Sequence, residues 1–170
     1  MFDRKKAKLF SILLALSLVF SGIGLSLAGE NYGKKIGTVT VSVEDSVPIP
    51  EGQDWQEPKG KILNDCEIAL YSDDTMMDCI ERACAQNGID IDTVNRGTGS
   101  GYIRSIDGLA EKQKGAMSGW MGTLNDWFTN MGFENFSVEN GKLKSGDKIR
   151  LAYTLNLGKD LGSDYENNDK

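Results

Sequence analysis

The chain is 170 residues long, carries 25 acidic against 19 basic side chains for a net charge of −6, and contains no histidine. An acidic chain gains nothing from counterion release on a phosphate backbone and is repelled by anionic bilayers, which argues against nucleic acid and lipid surfaces as partners. Without imidazole, Ser-His-Asp and Cys-His catalysis and His-ligated zinc fall away, leaving carboxylates, amides, aromatics and three cysteines to carry any chemistry.

At the start, Arg4, Lys5, Lys6 and Lys8 form a positive head before an apolar run over 9–27 that closes on Ser26-Leu27-Ala28. Small residues at the two positions a signal peptidase reads make 1–28 a secretory signal, so the protein is expected outside the cell. The alternative is an uncleaved anchor, since about 20 apolar residues can just span a bilayer. That segment is the sole route to membrane attachment in this reading.

A polar leader over 29–35 precedes an alternating stretch, 38–44, whose Val39, Val41 and Val43 share one face of a half-buried strand. Pro48, Pro50, Gly52 and Pro58 mark a surface loop holding Trp55. A second strand runs over 61–71, with Cys66, Ile68 and Leu70 inward. Thr75 and Asp78 have the spacing of a capping box, and Met76, Ile80, Ala83 and Cys84 then form one apolar stripe that Gly88 ends, which predicts a helix. Asp73 and Asp74 add charge where the helix dipole is positive.

Beyond the helix, Gly97, Gly99 and Gly101 read as a mobile rim loop; they resemble a phosphate cradle but lack its lysine. Residues 102–106 alternate as a strand ending in an Asp107-Gly108 turn, and 111–115 is charged and expected to be exposed. Strands are predicted over 119–124, over 133–138 and over 148–155, with Asn125-Asp126 as a turn. The acidic, aperiodic stretch 158–170 is expected to be a disordered tail. Two strands, a helix and three or four further strands make an α+β fold. The economical arrangement is a β-grasp-like mixed sheet of about five strands with one helix across one face, occupying 36–157.

Candidate contact residues are aromatic. Trp127 and Phe128 follow a turn, Trp55 lies in the Pro-rich loop, and Trp120 either meets a ligand from an edge strand or closes the core. Cys66 faces the helix, so a Cys66–Cys84 or Cys66–Cys79 disulfide is open to an exported protein, against the alternative of three buried thiols. Asp45, Asp65, Asp90 and Asp92 lack the regular oxygen spacing of a calcium loop, so no metal site is assigned.

Four segments, YSDDTMMDCI, YIRSIDGL, SGWMGTLND and LKSGDKIRLAYT, resemble in content and order the bacterial transcobalamin C-terminal-like domain of Gram-positive secreted and surface proteins. The resemblance implies a β-grasp fold. It also implies a corrinoid as the possible ligand, because in the eukaryotic cobalamin carriers a similar domain closes over one face of cobalamin while a helical barrel holds the other. The reading that follows is a secreted, non-enzymatic module recognising a small molecule, glycan or surface protein. The alternatives are corrinoid binding for uptake and a structural accessory of the cell surface.

Overall fold

The computed structural model describes residues 33–163; the signal segment and the last part of the acidic tail lie outside the described residues. Among these residues eight strands and one helix follow in order: β1 Lys35–Asp45, β2 Gly60–Tyr71, α1 Met76–Gln86, β3 Ile91–Val94, β4 Tyr102–Ile106, β5 Leu109–Ala110, β6 Gly119–Leu124, β7 Trp127–Phe128 and β8 Lys148–Thr154. Five form a mixed sheet in the order β2-β1-β8-β6-β7, with β1 and β8 parallel and the other neighbours antiparallel. The remaining three make a second sheet, β3-β4-β5. The fold is therefore α+β, and mostly β.

Alternation places the core. Val39, Val41 and Val43 of β1, Ile68 and Leu70 of β2, and Ile149, Leu151 and Tyr153 of β8 are all buried together. A bulge sets two residues of β2, Asn64 and Asp65, against Ser42 of β1, between the pairs Val41↔Cys66 and Val43↔Leu63. It returns Leu63 to the buried side that simple alternation would deny it. The outer side of β1 is closed by Glu44, which takes Lys61 at 2.9 Å from β2 and Arg150 from β8.

The helix forms as its sequence dictates. The Asp78 amide donates to Thr75 Oγ1 at 3.2 Å and the Thr75 amide to Asp78 Oδ2 at 2.7 Å, a reciprocal cap worth about 1 kcal/mol. At the far end Gly88 takes φ +66°, and the Ile89 and Gly88 amides donate back to the Cys84 and Ala85 carbonyls. Met76, Ile80, Ala83 and Cys84 are fully buried, as the stripe requires. Removing a side chain such as Ile80 from water contributes roughly 1.5–3 kcal/mol.

Asp74 does more than favour the helix dipole. It is buried, receives Arg82 through two hydrogen bonds of 2.5 and 2.9 Å, and accepts the Tyr71 amide at 2.7 Å. Arg82 also donates to the Ala69 carbonyl at 2.7 Å, so charge-assisted bonds join α1 to β2.

Four expectations are corrected. Strand β3 has no counterpart in the sequence reading. The segment 133–138 is not a strand: Phe133–Asn135 is a 3-10 turn, and only Ser137 makes a single bridge, to Thr75. Its Phe133 ring fills the space above Gly122, where a Cβ would collide with it. The tail is ordered further than expected, since Lys159–Leu161 forms a 3-10 turn whose Asp160 caps Thr154 and the Leu155 amide. Finally, Lys114 is buried, with Nζ 3.0 Å from the equally buried Asp45. Desolvation demands a partner for that ammonium, and the end of β1 supplies it.

Candidate functional site

A cleft of about 520 Å³ is walled by 99–102, 120–122 and 129–133 with Asn135. Its first wall is the glycine loop, which is clamped. Glu134 accepts the Gly97 and Gly99 amides at 2.7 and 3.1 Å, and Asn135 donates to the Gly99 carbonyl at 2.5 Å. Arg96 spans from Glu134 to Asp78 and Glu81 on the helix, at 2.5, 2.6 and 3.1 Å. Burial pushes the Glu134 carboxyl up, but the two loop amides and Arg96 outweigh it and hold it below its ordinary value. The rim is therefore fixed by an ionised group, contrary to the mobile loop expected.

The second wall is β6 and its hairpin to β7. Asn125 and Asp126 both take positive φ, +51° and +69°, as a two-residue hairpin turn needs. The Asn125 side chain is held between Asp147 Oδ1 and the Lys148 amide, at 2.8 and 2.9 Å. β7 pairs only with Thr123 and Leu124 before the chain turns away. It turns because Gly132 packs directly on the glycine loop: a Cβ there would stand 2.9 Å from the Gly99 oxygen.

The four aromatic candidates separate. The Trp120 ring is core: it is 8% exposed, donates from Nε1 to the Leu109 carbonyl at 2.9 Å and meets Tyr153 edge to face at 5.2 Å. The residue also lines the cleft. Trp127 is 76% exposed at the hairpin tip, with Phe128 half-buried beside it. Trp55 is half-buried near Gly115 and does not border the cleft. Sequence reasoning missed Tyr102, Met121 and Met131, which do border it; Tyr102 and Met131 are 39% and 44% exposed. Large exposed side chains of this kind carry no local signal.

The cysteines are free, so the Cys66–Cys84 bridge is not formed. Cys79 and Cys84 are sealed in the core, where burial, helped by Asp74 for the first and Glu81 for the second, pushes their thiols up to about 12 and about 11. Cys66 is half-buried, its sulfur 3.4 Å from the Asn87 amide group beside a smaller hollow of about 360 Å³. Among the described residues no three acidic or cysteine side chains gather to hold a metal; Asp45 pairs with Lys114 and Asp92 with Arg104. The cleft lining carries hydroxyls, amides, thioethers and rings, groups that can hydrogen-bond to a ligand and pack against it.

A family model described as "Domain of unknown function (DUF4430)" matches residues 73–154, just under half of the chain. No curated protein matches. Among solved structures the chain is similar to haptocorrin in complex with Cbi, at 15% identity and a TM-score of 0.50. That match covers 78% of this chain but only 28% of haptocorrin. It is also similar to a metal-binding candidate from Ruminococcus gnavus ATCC 29149, at 13% identity and a TM-score of 0.41, covering 70% of this chain and 97% of that one.

Proposed function

We propose that this chain is an exported, non-enzymatic binding module of the β-grasp type, similar to the C-terminal domain of transcobalamin, and that it takes its ligand in the cleft beside the β6–β7 hairpin. The observation that carries the reading is the cleft itself: a rim clamped through Glu134 and walls without a charged side chain. Trp127 does not line it, but stands 76% exposed on the β6–β7 hairpin, two residues before the lining Thr129. A preformed concavity with a few placed polar groups and an amphipathic aromatic in its lining, here Tyr102, is the general form of a binding site. The β-grasp assignment is supported by α1 lying against a mixed sheet whose central pair, β1 and β8, is parallel. The ligand class is a small molecule, a glycan or a surface protein.

A corrinoid is the second reading, favoured by the fold likeness to haptocorrin, whose structure holds Cbi. Titration with cobalamin, followed by its absorbance, separates the two: a spectral shift lost on Trp127→Ala assigns the corrinoid, and an unchanged spectrum at high micromolar protein removes it. Trp127→Ala is also the test of the surface. It is expected to leave Tm within a degree or two while weakening ligand binding, because so exposed a ring contributes little to the core. A fall of many degrees would make Trp127 structural and overturn its assignment.

A further inference from the structure

We infer that the cleft accepts an extended, uncharged peptide segment, which adds as a strand to the free edge of β6. The inference deepens the proposed function and rests on the cleft being the ligand surface. β8 covers one edge of β6 along its whole length, from Gly119↔Thr154 to Leu124↔Ile149. β7 covers the other edge only at Thr123 and Leu124, and the Thr129 amide and hydroxyl both close on the Gly122 carbonyl.

Successive residues of an antiparallel strand turn their main-chain groups to alternate sides. Because the Gly122 carbonyl points toward β7, Trp120, two residues earlier, turns its N–H and C=O the same way, into the cleft. Its ring meanwhile is locked in the core against Tyr153 and the Leu109 carbonyl. The edge is thus presented by a residue that cannot swing.

The gap is held open rather than left by a frayed hairpin. After Thr129 the chain leaves β6 and Gly132 lays its main chain on Gly99 and Gly101, where a Cβ would stand 2.9 and 3.1 Å from their oxygens. Main chain on both sides of the cleft is therefore held in place by packing. Strand addition uses such an edge for affinity and lets alternate side chains settle to either flank.

Charge defines the occupant. Charged residues make up 26% of the chain, yet no charged side chain lines the cleft. An ionised ligand side chain would lose water there and find no partner. Ser100, Thr129 and Asn130 offer hydroxyl and amide groups, and Tyr102 and Met131 offer apolar flanks, which suits uncharged side chains.

The test uses three sets of short synthetic peptides: uncharged ones built from Ser, Thr, Val and Asn, the same peptides with Asp or Lys at alternate positions, and the same peptides N-methylated at alternate backbone amides. The uncharged set is expected to bind and to slow hydrogen exchange at the Trp120 amide. Charging or N-methylation is expected to weaken binding by about tenfold or more, the latter because a methylated amide cannot join a ladder. Met131→Asp, which puts a carboxylate in the wall, is expected to abolish binding; Met117→Asp, at an exposed position outside the cleft, is expected to leave it unchanged. Equal binding of N-methylated peptides, or no binding by any set, overturns strand addition. If peptides fail but cobalamin or a neutral oligosaccharide binds and is lost on Met131→Asp, the strand inference falls and the cleft reading stands. If those probes bind regardless of Met131→Asp, or none binds, both fall.

Discussion

Replacing Lys114 by Met removes one ammonium and little else, because the two side chains are similar in length and the site is sealed. Lys114 Nζ lies 3.0 and 3.3 Å from the two Asp45 oxygens, and the two residues are 2% and 1% exposed. After the change, the Asp45 carboxylate keeps only the Lys59 amide, at 3.1 Å. A buried charge stripped of its counter-ion costs about 3–5 kcal/mol. For a domain of this size that is a fall in Tm of roughly 10–20 °C. Urea melts at neutral pH should report the loss as a lower midpoint with an unchanged slope. The double change Asp45→Asn with Lys114→Met removes both charges and should recover most of it, and the cycle yields the coupling energy directly. A loss under about 1 kcal/mol for Lys114→Met alone would place the lysine in water, in the range of surface pairs, and refute the burial.

Three other outcomes are expected. Ile80→Asp should abolish cooperative unfolding by circular dichroism, since Ile80 is fully buried under the sheet; a folded variant would mean that the wrong face of α1 is inward. A thiol reagent should label Cys66 alone in the native state and all three cysteines in denaturant, given the raised Cys79 and Cys84 thiols; native labelling of either would contradict their burial. Glu134 is held below its ordinary value of 4.5 in the folded protein, so its contribution is complete above that pH and is lost as pH falls through the lower, folded value. Melts in acid should therefore steepen below about pH 4.5, and Glu134→Gln should flatten that slope; an identical acid profile in the variant would remove Glu134 from the clamp.

The helix was readable from the chain because every signal for it is local: Thr75 with Asp78, the stripe through Ile80 and Cys84, and Gly88 at the end. The strands with clean alternation, in 38–44 and 148–155, were equally open to reading. β3 escaped because its four residues are all half-buried and show no alternation of burial. Phe136 and Val138 alternate as in a strand, but Phe133 is out of step with them and instead makes the tight contact at Gly122. The burial of Lys114 is not legible locally, since nothing near it in sequence announces Asp45. The cleft is hidden for the same reason: its walls come from three separated segments, and the glycine loop is held by Glu134 and Asn135 from far along the chain. Trp120 stood between two roles, and its hydrogen bond to Leu109 decides for the core.

The parallel pairing of β1 with β8 carries a lesson about order of assembly. Thr40 finds Lys148 as its partner, so the centre of the sheet joins the first strand to the last. The early hairpin of β1 and β2 can close by itself, but its inner edge must wait, unsatisfied, for nearly the entire domain to emerge. Such distant closure slows folding and leaves a sticky strand exposed in the interim. A chain wired this way completes itself late, and losing the final strand would strand the first.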